Sequence, residues 1–458
     1  MKLTCYRAAA LGVAIAAALA GNAAEAAARI ETELANQLAQ ALPTQRFEVV
    51  VTFKQSGAPN AGQIAAMKAL GISRGVSMHQ LPITGGLASP SAIRQLAKRD
   101  DVLSIVVNRK LRYFNADARQ LSGVDALQAD PDYGYTGVGV SVVINDSGID
   151  AVHSDLAYGS RVVENVQALT NLSSVFNFLP ATYLSGQPNT DISSGHGTHC
   201  AGTVGGSGAQ SGGVQRGVAP GADLIGYGSG AVISILDAVG GIDYAVAQKN
   251  AFAHPIRVVS NSWGSSGDFD PTDPVNVATY EAYKQGVVSV FAAGNDGPAA
   301  DTHNPYAQAP WVISVGAANK DKTLADFSSR GNPGESGSFT MPDGVSWTYS
   351  NHPTLVATGV DIVSTRAATG ALPLLASSQD LSLGAQMPFY THMSGTSMAT
   401  PHVAGVVALM LEANPALNPQ EVKQILTATA DPMAGRSSFE VGAGHVDALE
   451  AVQVAKHY

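Results

Sequence analysis

Cysteine is almost missing from this chain: 458 residues contain two, Cys5 and Cys200. Charge is scarce as well, at 14% Asp, Glu, Lys and Arg, and its balance is acidic, with a formal net charge of −10. Lysine and arginine never gather into more than a short run, so the basic footprint of a nucleic-acid binder is excluded and no nucleic-acid partner is expected. The acidic excess is read as solubility. Long apolar runs are lacking too. The one near the N-terminus, Ala8 to Ala20, is too short to span a bilayer comfortably, and no later stretch reads as a membrane anchor. Apolar residues and glycine, by contrast, are plentiful: 45% hydrophobic with 48 glycines excludes disorder and predicts a packed core with many tight turns.

The N-terminus reads as a secretory signal. Lys2 and Arg7 give a positive start, Ala8 to Ala20 is apolar, and small-residue cleavage patterns follow at Ala18-Leu19-Ala20 and Ala24-Glu25-Ala26. The signal is set at residues 1–28, so the destination is extracellular or periplasmic. Cys5 leaves with it. The mature chain then has one thiol and no internal disulfide, and its stability outside the cell must come from its core, with bound ions as a supplement.

Residues 29–116 are read as a small α+β sandwich. Phe47 to Phe53 is β-rich, Gln63 to Leu70 is helical, and Gly75 to Leu81 is a second strand. Ser89 caps a helix that begins at Pro90 and runs to Lys98, and Asp101 to Val107 is a third strand. The predicted order is β-α-β-α-β. Residues 113 to 135 read as a linker and domain entry. From there to residue 458, apolar β-rich runs alternate with helices. The runs are Val138–Asn145, Leu224–Tyr227, Val258–Ser262, Val287–Ala292 and Val312–Val315; the helices are Ala231–Lys249, Pro274–Gln285 and Ser397–Glu412. Near-continuous apolar strands separated by helices predict an α/β domain with a mostly parallel sheet covered on both faces, residues 117–458.

Three segments in this second part carry chemistry. Val142-Val143-Ile144-Asn145-Asp146-Ser147-Gly148 ends a buried run with a carboxylate; read alone, Asp-Ser-Gly is also a common turn. His196-Gly197-Thr198-His199-Cys200-Ala201-Gly202 starts a helix with a histidine; His196, His199 and Cys200 are alternatively a set of metal ligands. Ser394-Gly395-Thr396-Ser397-Met398-Ala399-Thr400-Pro401-His402 sets Ser397 at a helix start, where the serine's own N–H has no partner within the helix. A plain N-cap is the other reading of Ser397, and His402, a turn further in, is read as structural.

Together, and in the order Asp, His, Ser, these segments resemble the subtilase (subtilisin) family over roughly Gly137 to Val454. The resemblance implies a serine endopeptidase acting on extended polypeptide. Ser397 would be the nucleophile, His196 the general base, and Asp146 the group that orients it. Asn295, in Ala293-Gly294-Asn295-Asp296, would donate to the oxyanion. Ser262-Trp263-Gly264 and Ala292-Ala293-Gly294 would wall the pocket for the residue before the scissile bond, and Gly228-Ser229-Gly230 would pair with the substrate backbone. Departures from the family carry expectations of their own. Trp263 replaces a smaller residue and is expected to narrow the pocket mouth. Thr302, His303 and Asn304 would give the pocket a polar base, and Thr358 replaces a common proline.

No cofactor is needed for this chemistry. Structural calcium is a possibility through Asp155, although the loop from Gly205 to Arg216 lacks the usual ligand pattern and a cap or surface role is the alternative. The segment Phe47 to Val107 resembles, more loosely, the inhibitory propeptide of the same family. It would make the chain its own first partner, with Leu111-Arg112-Tyr113-Phe114-Asn115-Ala116 threaded through the active site and cut within Leu111 to Ser122. A monomer is expected. Cys200, one helical turn after His196, is expected to lie just beneath the imidazole as a small apolar group.

Overall fold

The computed structural model describes residues 29–109, 112–113, 120–170, 172, 177–230, 232–368 and 378–458. The expected signal, and residues 111 and 114–116 of the expected inhibitory tail, lie outside them.

The N-terminal unit runs β1 (Arg29–Ile30), α1 (Thr32–Gln40), β2 (Phe47–Phe53), α2 (Ala61–Ala69), β3 (Gly75–Ser77), β4 (Ile83–Ala88), α3 (Pro90–Leu96) and β5 (Val102–Val107). Alternation along β2 sorts its side chains. Val49, Val51 and Phe53 pack with Leu34, Leu38, Met67, Ile93 and Leu96 of the three helices, whereas Val50 joins the core of the second domain. Ser89 accepts from the Ala92 N–H with Pro90 in the first turn, as its sequence predicts. The expected β-α-β-α-β order gains β1 and α1 at its start and an extra strand, β4, which pairs antiparallel with both β2 and β3. Its Gly85 lies against Leu236 of the second domain, where a Cβ would come within 2.7 Å of Leu236 Cδ2. The glycine serves docking, a long-range demand that local propensity does not register.

The connecting segment carries β6 (Arg112–Tyr113), and the second part of the chain opens with α4 (Val124–Ala129), a short helix where a linker was expected. There follow β7 (Ser141–Asp146), β8 (Val162–Leu169), β9 (Phe178–Pro180), β10 (Thr182–Leu184), α5 (His196–Gly205), β11 (Asp223–Gly228), α6 (Ile235–Ala247), β12 (Ile256–Asn261), β13 (Trp263–Gly264), α7 (Pro274–Lys284), β14 (Val288–Ala292) and β15 (Ile313–Ala318). A hairpin, β16 (Ser336–Thr340) and β17 (Ser346–Ser350), precedes β18 (Leu355–Thr358), β19 (Ile362–Thr365) and β20 (Tyr390–Met393). The chain closes with α8 (Thr396–Ala413), α9 (Pro419–Thr429), α10 (Ser438–Val441) and α11 (Ala448–His457).

The main sheet has the order β10-β8-β11-β7-β12-β14-β15-β18, parallel throughout except for the antiparallel edge pair β10–β8. Each central strand feeds two cores. Val142, Ile144, Leu224 and Val258 pack on the α5 and α8 side, and Val143, Ile225 and Val259 on the α6 and α7 side. This is why those strands are apolar at consecutive positions. Strand β7 is central, with β11 on one side and β12 on the other. Its carboxyl end is therefore the point where the winding direction changes, the usual place for a site in such sheets.

Candidate active site

Asp146 is the last residue of β7 and His196 the first of α5. The His196 Nδ1 lies 2.7 Å from Asp146 Oδ1, and both side chains are buried. The approach is close because Gly197 presents no Cβ, which would lie 2.2 Å from the Gly148 carbonyl. Burial draws the imidazole towards the neutral form. The Asp146 carboxylate outweighs this, and the His196 pKa is raised well above its ordinary value.

Asp191 holds this arrangement in place, and sequence reasoning missed it. One carboxylate oxygen accepts from the Gly195 N–H at 2.8 Å and the Ser147 hydroxyl at 3.0 Å. The other accepts from the Thr198 N–H at 3.0 Å and the Thr198 hydroxyl at 2.7 Å. The start of α5 is thus tied to the end of β7 through one acid. An aspartate five residues ahead of a helix-opening histidine was the available signal.

Ser397 is the second residue of α8. Its hydroxyl donates to the Ser262 carbonyl at 2.7 Å, and the Ser262 hydroxyl donates to the Ser397 carbonyl at 2.6 Å. The second bond has a cause in the sequence. Pro401, four residues on, has no N–H to give the Ser397 carbonyl, so that acceptor is left for groups outside the helix. The Cys200 thiol also reaches it, at 3.7 Å, and lies 3.8 Å from His196 Nδ1 and 3.9 Å from Asp146 Oδ2. Cys200 therefore sits beneath the imidazole as expected. Burial pushes its thiol up to about 11, so it stays neutral and is no nucleophile at ordinary pH.

We predict that Cys200→Ala keeps most of the activity and costs about 1 kcal/mol of stability, because Ser262 still satisfies the Ser397 carbonyl. A mercurial should inactivate the parent and spare the variant. Titration with p-hydroxymercuribenzoate during peptide hydrolysis checks this, and equal sensitivity of the two would refute it.

Asn295 follows β14. Its Oδ1 accepts from the Thr396 N–H at 2.8 Å and the Thr396 hydroxyl at 2.9 Å. The carbonyl end of the amide is thereby fastened to the start of α8, next to Ser397, which fixes the direction of the donor end.

The alternative reading of His196, His199 and Cys200 as one metal set does not hold: His196 and Cys200 cluster with Asp146, and His199 is turned away. His199 points its Nε2 at the carbonyls of Ile362 and Thr391, both at 3.2 Å, and burial pulls its pKa down to about 3. His402 is structural, bonded to Ser122 Oγ at 2.6 Å. Asp155 is buried, and its carboxylate faces donors: the Gln210 N–H at 3.1 Å on one oxygen and the Tyr390 hydroxyl at 2.6 Å on the other. Calcium needs six to eight oxygens with free lone pairs, so these surroundings do not fit the ion, and Asp155 ties the 207–211 loop directly.

The pocket expectations need three corrections. Trp263 does not narrow the mouth: its indole is fully buried, donates to the Asn145 carbonyl at 2.7 Å and packs edge-on against Phe291. His303 and Asn304 do not make a free polar base. His303 bonds Asn351 and Ser314 in the interior. Asn304 ties the two expected walls together, donating to the carbonyls of Trp263 at 3.1 Å and Ala292 at 2.8 Å. Third, the N–H groups of Ser229 and Gly230 are turned to the carbonyls of Asp146 and Ser147, so the Gly228–Gly230 segment is fastened to β7 and does not offer those donors to a substrate. The strand pairing that does occur lies opposite: β13 pairs antiparallel with β6, Trp263 facing Tyr113 and Gly264 facing Arg112. Ala293 and Gly294 precede Asn295, with the Gly294 N–H on the Thr396 hydroxyl at 3.2 Å. Thr358, at the usual proline position, hydrogen-bonds His445 at 3.0 Å.

Comparison with known proteins bears on this geometry. Residues 137–444 match the model of the subtilase family, Peptidase_S8. The chain belongs to the subtilase family. It is 33% identical over 382 residues to serine protease AprX of Bacillus subtilis (strain 168), covering 80% of this chain and 77% of AprX. It is 31% identical over 338 residues to subtilisin DY of Bacillus licheniformis, covering 72% of this chain and 98% of that protein. In fold it resembles fervidolysin of Fervidobacterium pennivorans (TM-score 0.61, 23% identity), over 89% of this chain and 61% of that one. It also resembles the S41 psychrophilic protease (TM-score 0.52, 26% identity), over 72% and 99%. This subtilase is a serine-type endopeptidase, a hydrolase of peptide bonds that needs no cofactor for catalysis. Among the described residues, no helix is long and apolar enough to cross a membrane.

Proposed function

We propose that the chain is a secreted endopeptidase made as a self-processing precursor, with Asp146, His196 and Ser397 as its triad. The observation that carries the reading is the buried 2.7 Å contact between His196 and Asp146, with Ser397 at the adjoining helix start. The sequence of steps is the one known for subtilisins. Ser397 turns from the Ser262 carbonyl to His196 Nε2, gives up its proton there, and its oxygen attacks the scissile carbonyl carbon. The oxyanion is held by the Ser397 N–H and Asn295. His196 passes the proton to the leaving amine as the C–N bond breaks, and water repeats the cycle on the acyl-enzyme. Secretion rests on the N-terminal sequence alone.

A fluorophosphonate tests this directly. It should label Ser397 and abolish hydrolysis, while 1,10-phenanthroline leaves activity unchanged. Labelling elsewhere, or loss of activity with the chelator, would sink the reading.

The raised His196 pKa adds a prediction about pH. The base must be neutral, so kcat/KM should fall as pH drops through the raised value, and the acid limb should lie above 6.5. The stability contribution has the opposite sense: the His196–Asp146 attraction is fully present below 6.5 and lost as pH rises through the raised value. A kcat/KM profile with its acid midpoint at or below 6.5 would contradict the assignment.

The N-terminal unit is proposed as the intramolecular inhibitor. Support comes from its contacts. The Ile235 and Leu236 N–H groups at the start of α6 donate to the Arg109 carbonyl at 3.2 Å and to Asn108 Oδ1 at 3.0 Å. Arg109 pairs with Glu31 at 2.6 Å within its own unit and with Asp273 at 3.3 Å across the interface. Asp243 of α6 accepts the backbone N–H groups of His79, Gln80 and Leu81 at 2.9, 2.7 and 3.1 Å.

A further inference from the structure

The segment Phe178–Leu184 belongs to two sheets at once. Strand β9 is the sixth strand of the N-terminal unit's sheet, running parallel to β3 with Gly75 opposite Phe178, Val76 opposite Leu179 and Ser77 opposite Pro180. Strand β10, separated from β9 by Ala181 alone, is the edge of the main sheet. Ala181 is bound on both sides: its N–H donates to the Ser77 carbonyl at 2.7 Å and its carbonyl bonds His79 Nε2 at 2.8 Å. Phe178 is the side chain that enters the partner. It packs on the N-terminal unit's own core, and its ring occupies the space that a Cβ on Gly75 would need, 2.2 Å from Cε1.

We propose that Phe178–Leu184 is a latch, with Phe178 as its anchor, that sets how long the N-terminal unit stays seated after the connecting chain has been cut. The proposal rests on reading that unit as an inhibitor. Cutting near residues 112–122 leaves every contact of β9 intact, so the severed unit stays bound until β3 and β9 unzip. Strand addition supplies the backbone affinity, and the Phe178 ring in the Gly75 notch supplies the selectivity for this partner. Phe178 lies outside the triad, the oxyanion donors and the groove, so it affects release and not hydrolysis.

The test uses the full chain with Phe178→Ala and Phe178→Asp. Cutting is followed on gels and activity with a small chromogenic peptide. Cutting should proceed at the parent rate and the final activity should match the parent, while the interval between cutting and full activity shortens at least tenfold. An unchanged interval in Phe178→Asp overturns the latch. If the parent shows no interval at all, the inhibitory reading fails, and a second measurement judges the latch by itself. In Ser397→Ala full chain, the Ala181 amide should exchange hydrogen at least tenfold faster when Phe178→Ala is added; equal protection overturns it.

Discussion

Ser397→Ala is expected to accumulate as an uncut chain after loss of the signal, whereas the parent separates into two pieces. The expected site of the cut follows from strand register. In the antiparallel pair β13–β6, Trp263 faces Tyr113 and Gly264 faces Arg112. The residue just before β13 is Ser262, whose carbonyl accepts the Ser397 hydroxyl. One step further in the sequence after Tyr113 is Phe114, which lies outside the described residues. We therefore predict that the cut falls at the Phe114–Asn115 bond, the one that the register of Arg112 and Tyr113 would bring next to the nucleophile. The parent should release a fragment ending at Phe114 and a mature chain beginning at Asn115. Mass spectrometry of both pieces reads this. Removing the attacking oxygen abolishes covalent catalysis, so the variant's cutting rate should fall by at least a thousandfold. A Ser397→Ala chain cut at the same bond in a protease-deficient host would rule out self-cleavage, and a parent cut elsewhere would rule out the register.

The catalytic half of this architecture was legible because its signals are local. Strands buried on both faces are apolar at consecutive positions, and the start of a helix packed tightly against a sheet needs small residues. The local pattern of Asp146, His196 and Ser397 left a turn, a metal ligand and an N-cap open, and it was the resemblance of the three segments in order to the subtilase family that assigned their roles. What escaped were residues whose roles come from distant partners. Trp263 looked like a groove residue, yet the Asn145 carbonyl and the Phe291 ring draw its indole inward. Asn304 looked like a pocket base, yet it bridges two backbone carbonyls on separate strands. The hairpin β16–β17 was missed because its core-facing side chains, Phe339, Trp347 and Tyr349, alternate with serines and threonines and pack on an aromatic cluster that includes Phe269, Trp311 and Tyr280. Its period-2 signal was present but short, and no neighbouring strand in the main sheet called for it.

Asn295→Ala is expected to leave the fold intact and to lower kcat by about a hundred- to a thousandfold, a range taken from a subtilisin. The geometry explains why the loss should fall on kcat. The amide oxygen of Asn295 is held by the N–H and hydroxyl of Thr396, so the side chain cannot swing to follow the substrate. Its donor end is thus set for the position an oxygen takes as charge develops, and the bond strengthens in the transition state. KM should therefore change little. The variant also removes the acceptor of the Thr396 N–H at the first turn of α8, and the Thr396 hydroxyl keeps its bond to the Gly294 N–H at 3.2 Å. Asn295→Asp separates these two roles. It retains an oxygen for Thr396 but replaces the donor with a negative oxygen, so its stability should match the parent while its kcat falls at least as far as that of Asn295→Ala. Steady-state kinetics and thermal melts of the three proteins decide the matter. If Asn295→Asp kept near-parent kcat, or if the loss in Asn295→Ala appeared only in KM, Asn295 would be a brace for the start of α8 and not an oxyanion donor.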